Sequence, residues 1–236
     1  ITATIIQEGE GAAFTLPCGT FTVDELVASG PPSIVSIRGN SMPTESDITR
    51  TKRSRAWENV RLSEIVQDVA TKGGLAVNYL IENDPLYDRR DQRDETDLAF
   101  LKRVCADECF TLKCTDEQLI VYDPRELSDD DPVITLTMGR DNILSWSFTA
   151  QNHDVYWKCT VRYINPKDGK LKNFTYTQPG MKEGKTKRLN KRAANKAEAE
   201  RMAKAALYEA NRNEVTGSLV VMGDTRLVAG ATVQVN

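Results

Sequence analysis

The stretch Arg192-Ala-Ala-Asn-Lys-Ala-Glu-Ala-Glu-Arg-Met-Ala-Lys-Ala-Ala-Leu-Tyr-Glu-Ala-Asn211 runs on into Gly217-Ser-Leu-Val-Val-Met-Gly-Asp-Thr-Arg-Leu-Val-Ala-Gly-Ala-Thr-Val-Gln-Val235, and its reading decides the fold. The first part is alanine-rich and helical. It places Ala203, Ala206, Leu207 and Ala210 at i, i+3, i+4 and i+7, one stripe of small apolar side chains that lets a helix lie close against a sheet. Two short β-branched runs follow, Leu219–Met222 and Thr232–Val235. Gly223-Asp224 and Ala229-Gly230 punctuate the chain between them, so the runs are expected to form a hairpin beside the helix. A helix clamped on such a hairpin reads as one wall of a β-barrel, with no catalytic apparatus in it.

Working outward, the 236 residues suffice for a substantial core and one to two domains. A net charge of −3 is too small to imply steering of a polyanion or polycation. No apolar run approaches the ~18–20 residues of a membrane helix, and no charged-then-apolar leader is visible. The five cysteines, Cys18, Cys105, Cys109, Cys114 and Cys159, are odd in number and lack framework spacing. They are expected to be reduced thiols of a cytosolically made protein, and no cofactor is expected. Ile1-Thr-Ala-Thr-Ile-Ile-Gln7 alternates like a strand and Gln234-Val-Asn236 stops within another, so the chain is expected to be a piece of something longer.

Residues 1 to about 50 read as β, with strands at Thr20–Val23 and Ser33–Arg38 about the turn Ser29-Gly-Pro-Pro32. From Arg55 to Asp123 the pattern is α/β. Leu62, Ile65, Val66 and Val69 stripe a helix that stops at Gly73-Gly74, and a strand Leu75–Ile81 follows. Glu82 to Glu95 reads as a charged loop. Thr96–Ala106 is a second helix, capped by Asp94 in preference to Thr96, with Leu98, Leu101, Val104 and Cys105 inward. Phe110–Cys114 and Gln118–Tyr122 form a hairpin about Thr115-Asp-Glu. Asp129-Asp-Asp-Pro132 is a linker, and Ile143–Thr149 and Val155–Ile164 are long strands. Asn165-Pro-Lys-Asp-Gly169 turns the second of these into Lys170–Thr177, and Gln178–Asn190 is a basic loop. The fold class is thus α+β: β-barrel-like domains at 1–54 and 129–236 with a small α/β domain inserted at 55–128.

The chemical motifs read blandly. Gly39-Asn-Ser-Met-Pro43 resembles the nucleophile segment of Ser–Lys proteases, but Ser41 needs a buried lysine as base and the nearest, Lys52, lies in a charged stretch. His153, the single histidine, sits in a turn, Gln151-Asn-His-Asp154, without a nucleophile elbow. Cys105, Cys109 and Cys114 have C-x3-C-x4-C spacing, short of the four ligands and C-x2-C pairs that zinc favours, so no metal is expected. The carboxylates Asp84, Asp88, Asp91, Asp94, Glu95 and Asp97 miss a calcium loop, because Thr96 and Lys102 occupy the glycine and glutamate places counted from Asp91. Arg89, Arg90 and Arg93 among them imply surface ion pairs. The basic run Lys182, Lys185, Lys187, Arg188, Lys191, Arg192 and Lys196 is the one nucleic-acid candidate, and it lacks the interleaved aromatics that stack bases.

In order and spacing, four segments resemble the late control protein D family of phages. They are Cys18-Gly-Thr-Phe-Thr-Val-Asp24 with Ser29-Gly-Pro-Pro32, Trp57 before Leu62-Ser-Glu-Ile65, Asp94-Glu-Thr-Asp-Leu-Ala-Phe-Leu101, and Leu219–Val235. The resemblance implies a structural, non-enzymatic baseplate hub of a contractile tail, located in a virion or phage-like particle. It implies a homotrimer whose paired barrels continue the tail tube on one side and meet the spike on the other. It also implies family members longer at both ends and no catalytic residues. Partner-binding residues are not legible. One departure stands out: family members usually carry glycine where Cys109 stands, just past the second helix, a place where a left-handed residue ends a helix. The rival readings are a nucleic-acid-contacting module on the Lys182–Lys196 loop and a Ser–Lys hydrolase on Ser41.

Overall fold

A computed structural model describes residues 1–9, 12–42, 46–127, 131–140, 143–151, 155–165, 168–180 and 183–236. The chain opens with β1 (Thr2–Gly9), β2 (Ala12–Thr20), β3 (Thr22–Ser29) and β4 (Ile34–Asn40), then α1 (Asp47–Arg50) and β5 (Lys52–Arg61). It continues through α2 (Leu62–Gly73), β6 (Ala76–Leu80), β7 (Leu86–Thr96), α3 (Asp97–Glu108), β8 (Thr111–Cys114), β9 (Gln118–Tyr122) and α4 (Pro124–Leu127). After β10 (Ile134–Leu136) come β11 (Ile143–Ala150), β12 (Tyr156–Ile164), β13 (Leu171–Thr177), β14 (Lys185–Ala193), α5 (Lys196–Asn211), β15 (Val215–Val221) and β16 (Val233–Val235). The fold is a strand-rich α+β mixture. Among the described residues the sheets are two- and three-stranded and none closes into a barrel.

The chain divides into two compact units. One comprises residues 1–102, 112–137 and 223–236; the other comprises 103–111 and 138–222. In the first, β1–β2 and β3–β4 are antiparallel hairpins, and β6, β9 and β8 form a sheet with β9 central. The stripe on α2 is buried as its spacing requires: Leu62, Ile65, Val66 and Val69 are inaccessible, as are Leu119 and Val121 of β9. Each such side chain contributes roughly 1.5–3 kcal/mol by leaving water. The helix stops at Gly74 (φ +68°), whose N–H reaches Thr71 O at 3.3 Å while Leu75 N–H reaches Ala70 O at 2.9 Å. This double bond is the usual way a left-handed residue closes a helix.

The charged segment expected as a loop is a strand. β7 pairs antiparallel with β5 through cross-strand charges, Glu58 opposite Arg89 with 2.7 Å between carboxylate and guanidinium. Hydrophobicity conceals it, because only Tyr87 and Gln92 along β7 are buried and cross-strand ion pairs hold the rest. Asp94 does not cap α3. It sits at φ +48°, and the Thr96 hydroxyl accepts from Ala99 N–H at 3.3 Å instead.

In the second unit β12 and β13 form the hairpin expected about Asn165–Gly169, and β14 adds to β12 in parallel. The expected basic loop is therefore half strand. Lysines and arginines hide strand periodicity because their stems can lie on apolar surface while their heads stay wet. Helix α5 starts at Lys196, with the Asn195 side chain accepting from Glu198 N–H at 2.9 Å and Glu198 accepting from Ala194 N–H at 2.7 Å. Of its expected stripe, Ala203 and Leu207 are buried while Ala206 and Ala210 are half-buried. Ala203 and Leu207, with Ala199 and Met202, form one core cluster with Cys159 and Val161 of β12 and Ala193 of β14. The expected hairpin of Leu219–Met222 with Thr232–Val235 does not form. β15 instead pairs antiparallel with β11, and β16 runs parallel to β10. Pairing partners lying 65 to 99 residues away in sequence outcompete the local one.

Candidate functional site

The residues weighed for chemistry are engaged structurally. Ser41 follows β4, and Lys52, the lysine nearest to it in sequence, pairs with Asp94 at 3.4 Å. His153, Asp154, Pro43, Lys182 and, in the linker, Asp129 and Asp130 lie outside the described residues. All five cysteines are unbridged. Burial pushes the Cys105 thiol up to about 12, aided by the neighbouring Glu108 carboxylate. The Cys114 thiol is also raised by burial, against the opposing charge of Lys102. A high-pKa thiol is a poor nucleophile and a poor metal ligand. Cys109 takes the left-handed conformation, φ +63°, at the end of α3. Its N–H reaches Ala106 O at 3.1 Å and Phe110 N–H reaches Cys105 O at 2.9 Å. The helix therefore ends as it would with glycine, and Cys109 bears the strain.

The acidic cluster resolves into separate structural tasks. Asp84 accepts from the Ser63 hydroxyl at 2.7 Å, from Ser63 N–H at 3.2 Å and from Tyr79 Oη at 2.6 Å, anchoring the start of α2. Asp91 is held between Arg93 and Arg89, each at 2.7 Å, and their hydrogen bonds lower its pKa. Asp97 is fully buried and accepts from Arg55 Nη2 and Gln92 Nε2 at 2.8 Å each, and from Arg53 Nη1 at 3.1 Å. Arg55 also lies 4.5 Å over the Trp57 ring, which stacks on Phe100 at 4.8 Å. This network ties β5, β7 and the start of α3 together. Among the described residues no three His, Cys, Asp or Glu side chains converge on a metal position.

What remains unsatisfied is apolar and strand-borne. In the first unit the β1–β2 hairpin exposes Ile5, Ile6 (64%) and Phe14, and the β3–β4 hairpin exposes Leu26 (64%), Val35 (63%) and Ile37. In the second unit the β11–β15 pair exposes Leu144 (70%), Trp146 (59%), Phe148 and Val220. On this pair Gly217 lies so close to Phe148 that an added Cβ would come within 2.5 Å of the ring. Isolated two-stranded ribbons are marginal in water, and contiguous exposed apolar patches mark protein interfaces. Sequence reasoning located β1, β4, β11 and the end of β15, but not β2, and its strand Thr20–Val23 spans the break at Phe21 between β2 and β3. Exposure was not legible either, since alternation names two faces without saying which is covered.

Strand pairs left open in this way are surfaces that further β structure or a partner covers. Residues 41–236 match the phage tail baseplate hub (GPD) family, and the chain belongs to that family. The probable baseplate hub protein of Escherichia phage 186 is 24% identical over 156 residues, covering 64% of this chain and 40% of that protein. The chain thus aligns to less than half of that relative's length. Its fold is similar to that of a tail protein from Neisseria meningitidis MC58, with a TM-score of 0.68 and 16% identity over 95% of this chain and 73% of that one. It is also similar to the 43 kDa tail protein of prophage MuSo2 from Shewanella oneidensis. That likeness has a TM-score of 0.66 and 15% identity over 91% of this chain and 67% of that one.

Proposed function

We propose that the protein is a structural, non-catalytic hub subunit of a contractile tail baseplate or related injection device, working as a trimeric ring between tail tube and spike. The observation that carries this reading is the set of uncovered apolar strand pairs, β1–β2, β3–β4 and β11–β15, in a member of the baseplate hub family. Residues 1–54 and 129–236 are then the barrel-forming stretches and 55–128 the inserted α/β domain. Neighbouring subunits complete the barrels and remove the open edges. The mechanism is geometric: threefold closure buries the strand faces and leaves a continuous channel.

Light scattering of the full-length protein over a range of concentrations tests the reading. A stable trimer is expected, or a monomer that trimerises on mixing with the cognate spike protein. A protein that stays monomeric with tube and spike both present overturns it.

A further inference from the structure

One face of the β13–β12–β14 sheet is covered by α5. The other is a groove of about 640 Å³ lined by Lys158, Thr160 and Arg162 of β12, Thr175 of β13, and Thr186 and Arg188 of β14. That volume falls in the range of sites that hold small ligands. The register sets the three cations in a row. Arg188 stands opposite Thr160, so along the strand direction it falls between Lys158 and Arg162. Successive cations are therefore offset along the strands by two residues, roughly 6.6 Å, with Arg188 displaced sideways by one strand, roughly 4.8 Å. Among the described residues no acidic side chain lines the groove; the Lys158 ammonium lies 4.5 Å over the Trp157 ring at its side. The chain as a whole carries a net charge of −3, so this row is a local exception.

We propose that this groove binds an extended acidic peptide segment of a partner protein, with carboxylates at every second residue. An extended segment repeats same-facing side chains at the offset of the cations along the strands, and arginine fits a carboxylate with two parallel hydrogen bonds. The Thr160 and Thr175 hydroxyls, 3.0 Å apart, offer further donors and acceptors. Exposed Leu171 at one end gives apolar contact. A nucleic-acid strand is the poorer match, because no aromatic side chain lines the groove to stack a base.

The full chain is titrated at low ionic strength with a fluorescent Thr-Glu-Thr-Glu-Thr-Glu-Thr peptide, a peptide of the same composition with its glutamates adjacent, and an oligothymidylate of equal charge. The alternating peptide is expected to bind about tenfold tighter than either competitor, given weak individual exposed pairs. Lys158→Gln, Arg162→Gln and Arg188→Gln together should abolish that binding. Lys170→Gln, Lys172→Gln and Lys204→Gln together, equal in charge change but outside the groove, should leave it intact. Melting curves establish that both triple variants are folded, and the peptide comparison on the unaltered protein needs no variant. Equal binding of the two peptides, tighter binding of the oligothymidylate, or retained binding in the groove variant each overturns the proposal.

Discussion

At Asp97 two guanidiniums and an amide share one carboxylate that has no access to water. Removing the carboxylate leaves the Gln92 amide and the two guanidiniums short of an acceptor, although Arg53 keeps Asp47, Arg55 keeps Asp68 at 3.3 Å, and both guanidinium side chains retain some access to water. Asp97→Ala is therefore expected to lower the unfolding free energy by about 1–3 kcal/mol in urea titration. A loss under about 1 kcal/mol would show that Asp47, Asp68 and water compensate for the missing carboxylate. Asp224 is a different case. The Arg226 guanidinium, 2.6 Å away, brings its pKa from 3.8 down to about 2. A carboxylate with a lowered folded pKa stabilises above its unfolded value, and that contribution is lost as pH falls from about 4 toward 2. Carbon NMR titration of Asp224 should show the low value, and Arg226→Gln should return it toward the ordinary range.

At the scale of elements, α2 and α3 end by the same hydrogen-bond pattern, one on Gly74 and the other on Cys109. Only glycine occupies that backbone region without penalty, the left-handed conformation costing other residues roughly 1–2 kcal/mol. Cys109→Gly is expected to stabilise by up to about 1 kcal/mol, part of the relief being offset by the looser unfolded chain. A lower melting temperature in that variant would mean that packing of the buried thiol outweighs the backbone strain. Helices were legible because their stripes and stops are local: Leu62, Ile65, Val66 and Val69 before Gly73-Gly74 needed no tertiary information. β7 and β14 were not legible. Their strand character lies in what they pair with, Lys52–Arg61 and Tyr156–Ile164, and not in their own hydrophobicity.

For the whole molecule, exposed strand faces make assembly the natural outcome. Trp146→Asp with Phe148→Asp places charge on the β11–β15 face, where Trp146 is 59% and Phe148 44% exposed and the rings lie 6.0 Å apart. The double variant should keep the subunit's own stability within about 0.5 kcal/mol per site, as surface substitutions do, while losing the oligomer in light scattering. An unchanged oligomer would place the interface elsewhere, on the β1–β2 and β3–β4 hairpins.

The α+β class was readable from residue order, because helix stripes, turn residues and strand alternation are properties of neighbours along the chain. The family was legible through the order and spacing of four segments that resemble it, and the left-handed demand at Cys109 through the glycine that the family usually carries there. Which strands meet was decided only in three dimensions: Leu219–Val221 joins β11 and Val233–Val235 joins β10, although the two lie next to each other in sequence. Strand pairing is specified by the burial that a whole sheet achieves, and no local run of residues contains that information. The groove of Lys158, Arg188 and Arg162 has the same origin. Its cations come from two strands, and only the register between β12 and β14 sets them in one staggered row.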